Sequence, residues 1–395
     1  MQIVGRHYAT AQPIAITFEG ERITKVEPAT QHRDALPWIG PGFVDLQING
    51  FGGHEFNEAG LSVEQVRDLV LAQDQFGVTR FCPTTTTQSL ERLEAAMTTL
   101  AAACDRYPEV AQRVAGIHLE GPFISPEDGP RGAHPLEHCQ PPDWNAFDRL
   151  QRASGNRIRI VTMSAEYDSA PAFIARAVQQ GVRVAIGHTN ANTKQIDLAV
   201  QAGASFSTHL GNAAHPRIRR HPNYIWDQLA DDRLAATLIV DGHHLPPAVV
   251  KSFVRAKTAA RCVLVSDITG MAGMPPGNYA GTPLGNIEVL EDGRLVVAGQ
   301  RELLAGASRP IGDGVSNVMR FAGVSLATAF DMASSQAAEL IGVAPTRLEP
   351  DSLADLVLFD LIPREGTLCE SRADELVVRA TIKRGKVVFG ALRDN

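Results

Sequence analysis

Eight short apolar runs, separated by stretches of different periodicity, constrain this chain more than any other feature. They span residues 42–47, 78–82, 114–118, 158–163, 182–186, 204–208, 236–240 and 262–266. Each has the length of a strand buried on both faces, and none reaches the length of an ordinary helix. Between them, residues 61–76, 89–103, 170–180 and 192–202 repeat their apolar positions at helical spacing. Ser62 and Ser89 stand just ahead of two of these patterns and are expected N-caps. Strands alternating with helices predict an α/β protein, and eight of them predict a (β/α)8 barrel. At 395 residues and 44% apolar content the chain can bury such a core and one smaller body beside it.

The two ends read differently. Ile14, Ile16 and Phe18 alternate with Ala15 and Thr17, and Glu19-Gly20-Glu21 turns the chain into a second strand from Arg22 to Val26. Residues 355–360 form a buried-type strand, and residues 381–389 a hairpin around Arg384-Gly385. Neither end carries enough apolar surface to stand alone, so the two are expected to pack together as a small β-sandwich domain of residues 1–40 and 350–395. The barrel then occupies 41–349. Residues 268–310, rich in Gly and Pro and containing a hairpin-like stretch at 289–297, are expected as an insertion after the eighth strand that partly covers the site. Helical sequence resumes at Gly312 and runs to Ile341.

Bulk properties exclude several roles. A net charge of −7 gives no basic surface for nucleic acid. No apolar run approaches a membrane span and no signal pattern opens the chain, so the expected compartment is the cytoplasm. The five cysteines, Cys82, Cys104, Cys139, Cys262 and Cys369, form no Cys-x-x-Cys pair, which argues against a disulfide framework and a cysteine zinc site.

Four residues at the ends of apolar runs carry chemistry. Glu120 follows the third run, His188 the fifth, His209 the sixth and Asp267 the eighth. Barrel enzymes place their reacting groups at the C-terminal ends of strands. One carboxylate and two imidazoles fill three positions around a divalent metal and leave a fourth for water. A further carboxylate can act as base toward that water. Each residue alone has a plainer explanation, a bonded histidine or a helix-capping aspartate; four after four different strands do not.

The chain resembles the amidohydrolase superfamily, and within it the enzymes that deacetylate N-acetylglucosamine 6-phosphate. The resemblance runs through residues 41–50, His118-Leu119-Glu120-Gly121-Pro122-Phe123, Gly187-His188-Thr189, Thr208-His209-Leu210-Gly211-Asn212-Ala213, Asp241-Gly242-His243-His244 and Ser266-Asp267. Many members carry His-x-His in the first strand and bind two metals. This chain has Gln47-Ile48-Asn49, and neutral amides are poor zinc ligands. The resemblance therefore implies one metal held by Glu120, His188 and His209, zinc by preference, with iron, cobalt or manganese also compatible. It implies Asp267 as the base and His134 as a substrate contact and oxyanion donor. It implies further contacts from Asn212 and Ala213 to the sugar phosphate, from His244 to the substrate, and from Ala305, Gly306 and Ala307 at the acetyl end. It also implies a phosphate-binding arginine reaching in from a neighbouring subunit, hence a homodimer; spacing favours Arg220, with Arg217 and Arg219 in competition. The alternatives are another N-acyl amino sugar such as the galactosamine epimer, a cyclic-amide hydrolase, or a non-catalytic sugar-phosphate sensor on the same fold.

Overall fold

The computed structural model describes residues 1–30, 36–364 and 373–392. Cys369 lies outside them. Eight parallel strands run side by side in sequence order: Phe43–Ile48, Val78–Thr86, Ile117–Glu120, Ile158–Met163, Arg183–Ile186, Phe206–Ser207, Ala235–Ile239 and Cys262–Val265. A bridge between Ile48 and Ile268, just past the eighth strand, brings the first and last strands together. The eight expected strands are all present. The third begins later than its apolar run and ends on Glu120 itself, because Val114 pairs alone with Phe81 before the ladder starts.

A helix follows each strand. Ser62 and Ser89 cap the first two, accepting from the backbone N–H groups of Gln65 and Arg92, and the Gln65 side chain returns a bond to Ser62. The first ends as an α-helix at Ala72 and tightens into a 3-10 turn, Gln73–Phe76. Three helices that periodicity did not single out, Trp144–Ala153, Tyr224–Ala230 and Pro247–Lys257, begin at Asp143, at Asn223 and at a proline in the first turn. The long helical stretch after Gly312 is three helices, Ile311–Ala322, Leu326–Met332 and Ser335–Leu340. Gly323, at φ 71°, takes the left-handed conformation that ends the first of them.

Side chains from the strands fill the barrel: Val44, Leu46, Cys82, Ile160, Ala185, Phe206, Ile239 and Val263 form one buried cluster with Ala337, Ala338 and Ile341. A larger cluster lies between strands and helices. Each large apolar side chain buried this way contributes roughly 1.5–3 kcal/mol.

The chain ends meet in a seven-stranded sheet that joins Gln2–His7, Pro13–Glu19, Arg22–Pro28 and Trp38–Pro41 to Leu356–Arg364, Ala373–Lys383 and Lys386–Gly390. Along Leu356–Arg364 the pleat divides the side chains. Leu356 and Leu358 enter the core of this sheet, while Val357 and Phe359 pack into the barrel's outer cluster. The expected hairpin turns at Arg384 and Gly385, both at positive φ. The insertion is a four-stranded antiparallel sheet, Gly277–Thr282, Gly285–Val289, Leu295–Val297 and Gln300–Leu304, built on Ile287, Val289, Leu295 and Ala305. It meets the barrel where the Gln88 side chain donates to Pro283 O.

Candidate active site

Glu120 is the last residue of the third strand, and His188, His209 and Asp267 each stand two residues past the fifth, sixth and eighth. The last three adopt positive φ, at 49°, 30° and 53°. That conformation is costly for a residue with a side chain and persists only where its surroundings impose it. Here it turns three strand ends inward over the barrel mouth.

The turn brings three ligand atoms together. Glu120 Oε1 lies 3.1 Å from His188 Nε2 and 3.1 Å from His209 Nε2, and the two nitrogens are 3.2 Å apart. All three side chains are buried. His188 Nδ1 sits 2.9 Å from Pro130 O, a pure acceptor, so Nδ1 carries a proton and Nε2 is the ring atom that faces Glu120. Lone pairs aimed at one carboxylate oxygen need a proton or a cation between them. One oxygen and two nitrogens suit a divalent ion. A ring nitrogen of His134 also lies within 4.8 Å of Glu120 and His188. Its Nδ1 is already bonded to Thr87 Oγ1 at 2.8 Å, and the nitrogens in contact with Glu120 are those of His188 and His209.

The charges follow from this packing. Burial alone would raise the Glu120 carboxyl, but the hydrogen bonds and charges of His188 and His209 outweigh it and hold the group well below its usual range. Burial, then the charge of Glu120, pushes Asp267 up to about 6. Burial, then His188, pushes His134 down to about 3, so this ring is neutral. The Thr87 backbone N–H, which can only donate, faces His134 Nδ1 at 3.4 Å. The proton of His134 therefore resides on Nε2, available as a donor.

The first-strand amides are engaged with the two carboxylates: Gln47 Nε2 donates to Glu120 Oε1 at 3.0 Å, and Asn49 Nδ2 to Asp267 Oδ1 at 2.7 Å. Ala305, Gly306 and Ala307 run alongside, with Ile268 bridged to Ala307 and Thr269 N donating to Ala307 O. Asn212 donates through Nδ2 to His209 O, and Ala213 takes φ 46°. His244 is fixed by Asp241, whose Oδ2 lies 2.8 Å from Nδ1; His243 contributes only its backbone N–H to Asp241. Arg217, Arg219 and Arg220 are all exposed, and none makes a side-chain hydrogen bond or ion pair among the described residues.

Two groups escaped the sequence reading. His118 is buried beneath the site, its Nδ1 against Leu46 O and its Nε2 against Thr162 Oγ1, which in turn touches Thr208 Oγ1. His215 links two loops of the mouth through Glu127 and Tyr224. Neither has a local signal beyond the histidine itself. No helix among the described residues is long and apolar enough to cross a membrane.

A model of the amidohydrolase family matches residues 38–388. Bovine N-acetylglucosamine-6-phosphate deacetylase is 33% identical over 392 residues, 95% of this chain and 88% of that protein. N-acetylgalactosamine-6-phosphate deacetylase of Escherichia coli O157:H7 is 32% identical over 343 residues, 86% of this chain and 88% of that one. Among solved structures, a mutant N-acetyl-D-glucosamine-6-phosphate deacetylase from Mycobacterium smegmatis, in complex with N-acetyl-D-glucosamine-6-phosphate, superposes with a TM-score of 0.85 at 27% identity, covering 98% of this chain and 99% of that one.

Proposed function

The chain belongs to the amidohydrolase family, and from that premise we propose that it hydrolyses the acetamide of N-acetylglucosamine 6-phosphate, releasing acetate and glucosamine 6-phosphate. The observation that carries this reading is the convergence of Glu120 Oε1, His188 Nε2 and His209 Nε2 on one buried point. These three residues would hold the metal, zinc by preference, with iron, cobalt or manganese as alternatives. A divalent cation there supplies Lewis acidity toward the acetamide carbonyl and makes water a stronger acid. Asp267 takes a proton from the attacking water. It then returns that proton to the sugar nitrogen, without which C–N cleavage would expel a poor leaving group. His134 donates its Nε2–H to the carbonyl oxygen as negative charge gathers there.

The remaining roles concern binding. Asn212 and Ala213 hold the sugar phosphate, and His244, braced by Asp241, contacts the sugar. Ala305, Gly306 and Ala307 line the acetyl end. Arg220 of a second copy clamps the phosphate, with Arg217 and Arg219 as the competing assignments; the exposure of all three supports a role across subunits and hence a homodimer. The working compartment is the cytoplasm, where sugar phosphates are held.

The test is acetate release from N-acetylglucosamine 6-phosphate, its unphosphorylated form and N-acetylgalactosamine 6-phosphate, side by side. Preferred turnover of the first supports the reading. Preferred turnover of the galactosamine phosphate replaces it with the epimer's reaction. Turnover of none overturns it.

A further inference from the structure

Gln47 and Asn49 have one residue between them in the first barrel strand and its exit, and each aims a side-chain N–H at a different carboxylate of the site. Gln47 Nε2 lies 3.0 Å from Glu120 Oε1. Asn49 Nδ2 lies 2.7 Å from Asp267 Oδ1 and 3.4 Å from Asp267 O. Both amides are buried, at 1% and 4% exposure. The main chain of the same segment holds the base as well: Asp267 N donates to Gln47 O at 3.0 Å, and Asn49 N to Ile268 O at 2.8 Å. Asp267 is thus kept at its strained positive φ by bonds from one short piece of the first strand. Ligand atoms and bases in buried sites depend on such supporting bonds for their orientation.

We propose that Gln47 and Asn49 are separate positioning residues: Gln47 orients Glu120 for metal binding, and Asn49 orients Asp267 for proton transfer. An amide nitrogen donates and cannot accept. With Oδ1 of Asp267 occupied by Asn49, Oδ2 is the oxygen that receives the proton and gives it up. Gln47 in turn stops Glu120 from rotating away from the two imidazoles. The positions that a His-x-His pair would use to bind a second cation serve here to brace both carboxylates by hydrogen bonding.

The proposal rests on the deacetylase reading for Asn49 and on the metal site alone for Gln47, so its test has two arms. In the first, zinc affinity is measured by chelator competition on wild-type, Gln47→Leu and Asn49→Ala protein, without turnover. Gln47→Leu should weaken zinc about 10- to 100-fold, and Asn49→Ala should leave it within about threefold. In the second, kcat and KM are measured at saturating zinc. Asn49→Ala should lose about 10- to 100-fold in kcat with KM nearly unchanged, a larger loss in kcat than Gln47→Leu shows once zinc is saturating. Asn49→Asp keeps the size of the side chain and replaces the donor with an acceptor. It should be no better than Asn49→Ala, whereas a packing role predicts rescue. Equal effects of both substitutions on affinity and kcat, or rescue by Asn49→Asp, overturn the proposal. An inactive wild-type protein that still shows the Gln47 effect on zinc refutes the substrate reading and leaves the Gln47 assignment standing.

Discussion

His188 and His209 point their Nε2 atoms at one another across 3.2 Å, with Glu120 Oε1 3.1 Å from each. Such a cluster is stable when a cation shares the three lone pairs. Stripping the protein with a strong chelator should abolish acetate release and lower the melting temperature. At free metal 1,000-fold above Kd, binding stabilises the folded state by about 4 kcal/mol. Calorimetry of stripped and reloaded protein checks this, and identical melting curves would count against the site.

The exposed arginines predict an effect confined to the phosphate. Arg220→Ala should raise KM for the phosphorylated substrate about 10- to 100-fold, the loss of one charge-assisted bond at roughly 1.5–3 kcal/mol, and leave kcat nearly unchanged. Weak turnover of the unphosphorylated sugar should not change. If Arg217→Ala or Arg219→Ala produces the effect instead, the clamp moves to that residue.

Glu55 predicts a pH-dependent stability. Its side chain is buried, Gly270 N reaches only Oε1, and Oε2 has no partner among the described residues. Burial pushes its carboxyl up to about 7. A raised carboxyl binds its proton more tightly in the folded state than in the unfolded one. Its contribution is therefore complete below the ordinary glutamate value and is lost as pH rises through about 7. Glu55→Gln, which never ionises, should gain on wild-type by up to about 3 kcal/mol between pH 4 and 8. Urea unfolding of both proteins in metal-free buffer across that range reads the difference; a gap that stays constant with pH contradicts it.

The joined ends predict a costly ion pair. Lys383 Nζ lies 2.7 Å from Asp355 Oδ2, and their side chains are 2% and 0% exposed. Asp355→Ala leaves the ammonium buried and unpaired, and should destabilise by about 3–5 kcal/mol. Replacing both residues with leucine should cost less than the single change, because no charge is then stranded. Equilibrium unfolding of the three proteins tests the order.

Much of this architecture was legible in the chain. The apolar runs located all eight barrel strands because a strand buried on both faces must be apolar throughout, and Glu120, His188, His209 and Asp267 could then be ranked by their place at strand ends. The joining of the two ends followed from their lack of apolar surface. Tyr224–Ala230 was less visible because it has only seven residues and starts from the Asn223 side chain. Trp144–Ala153, by contrast, is as long as Val63–Ala72 and buries Ala146, Phe147 and Leu150 on one face, a stripe that was present and overlooked. The hydrogen bonds of Gln47 and Asn49 were illegible: an amide in a strand gives no hint of which distant carboxylate it will meet. The link from His215 to Glu127 and Tyr224 was hidden for the same reason, since it joins loops 88 residues apart.

The most direct test of the central claim compares wild-type and Asp267→Asn protein for bound metal and for acetate release from N-acetylglucosamine 6-phosphate in the same samples. Equal metal is expected, near one ion per chain, with release slowed by about 10²- to 10⁴-fold in the variant. A variant that keeps near wild-type turnover, or that loses its metal along with its activity, would contradict the assignment of Asp267 as the base beside a site built from Glu120, His188 and His209.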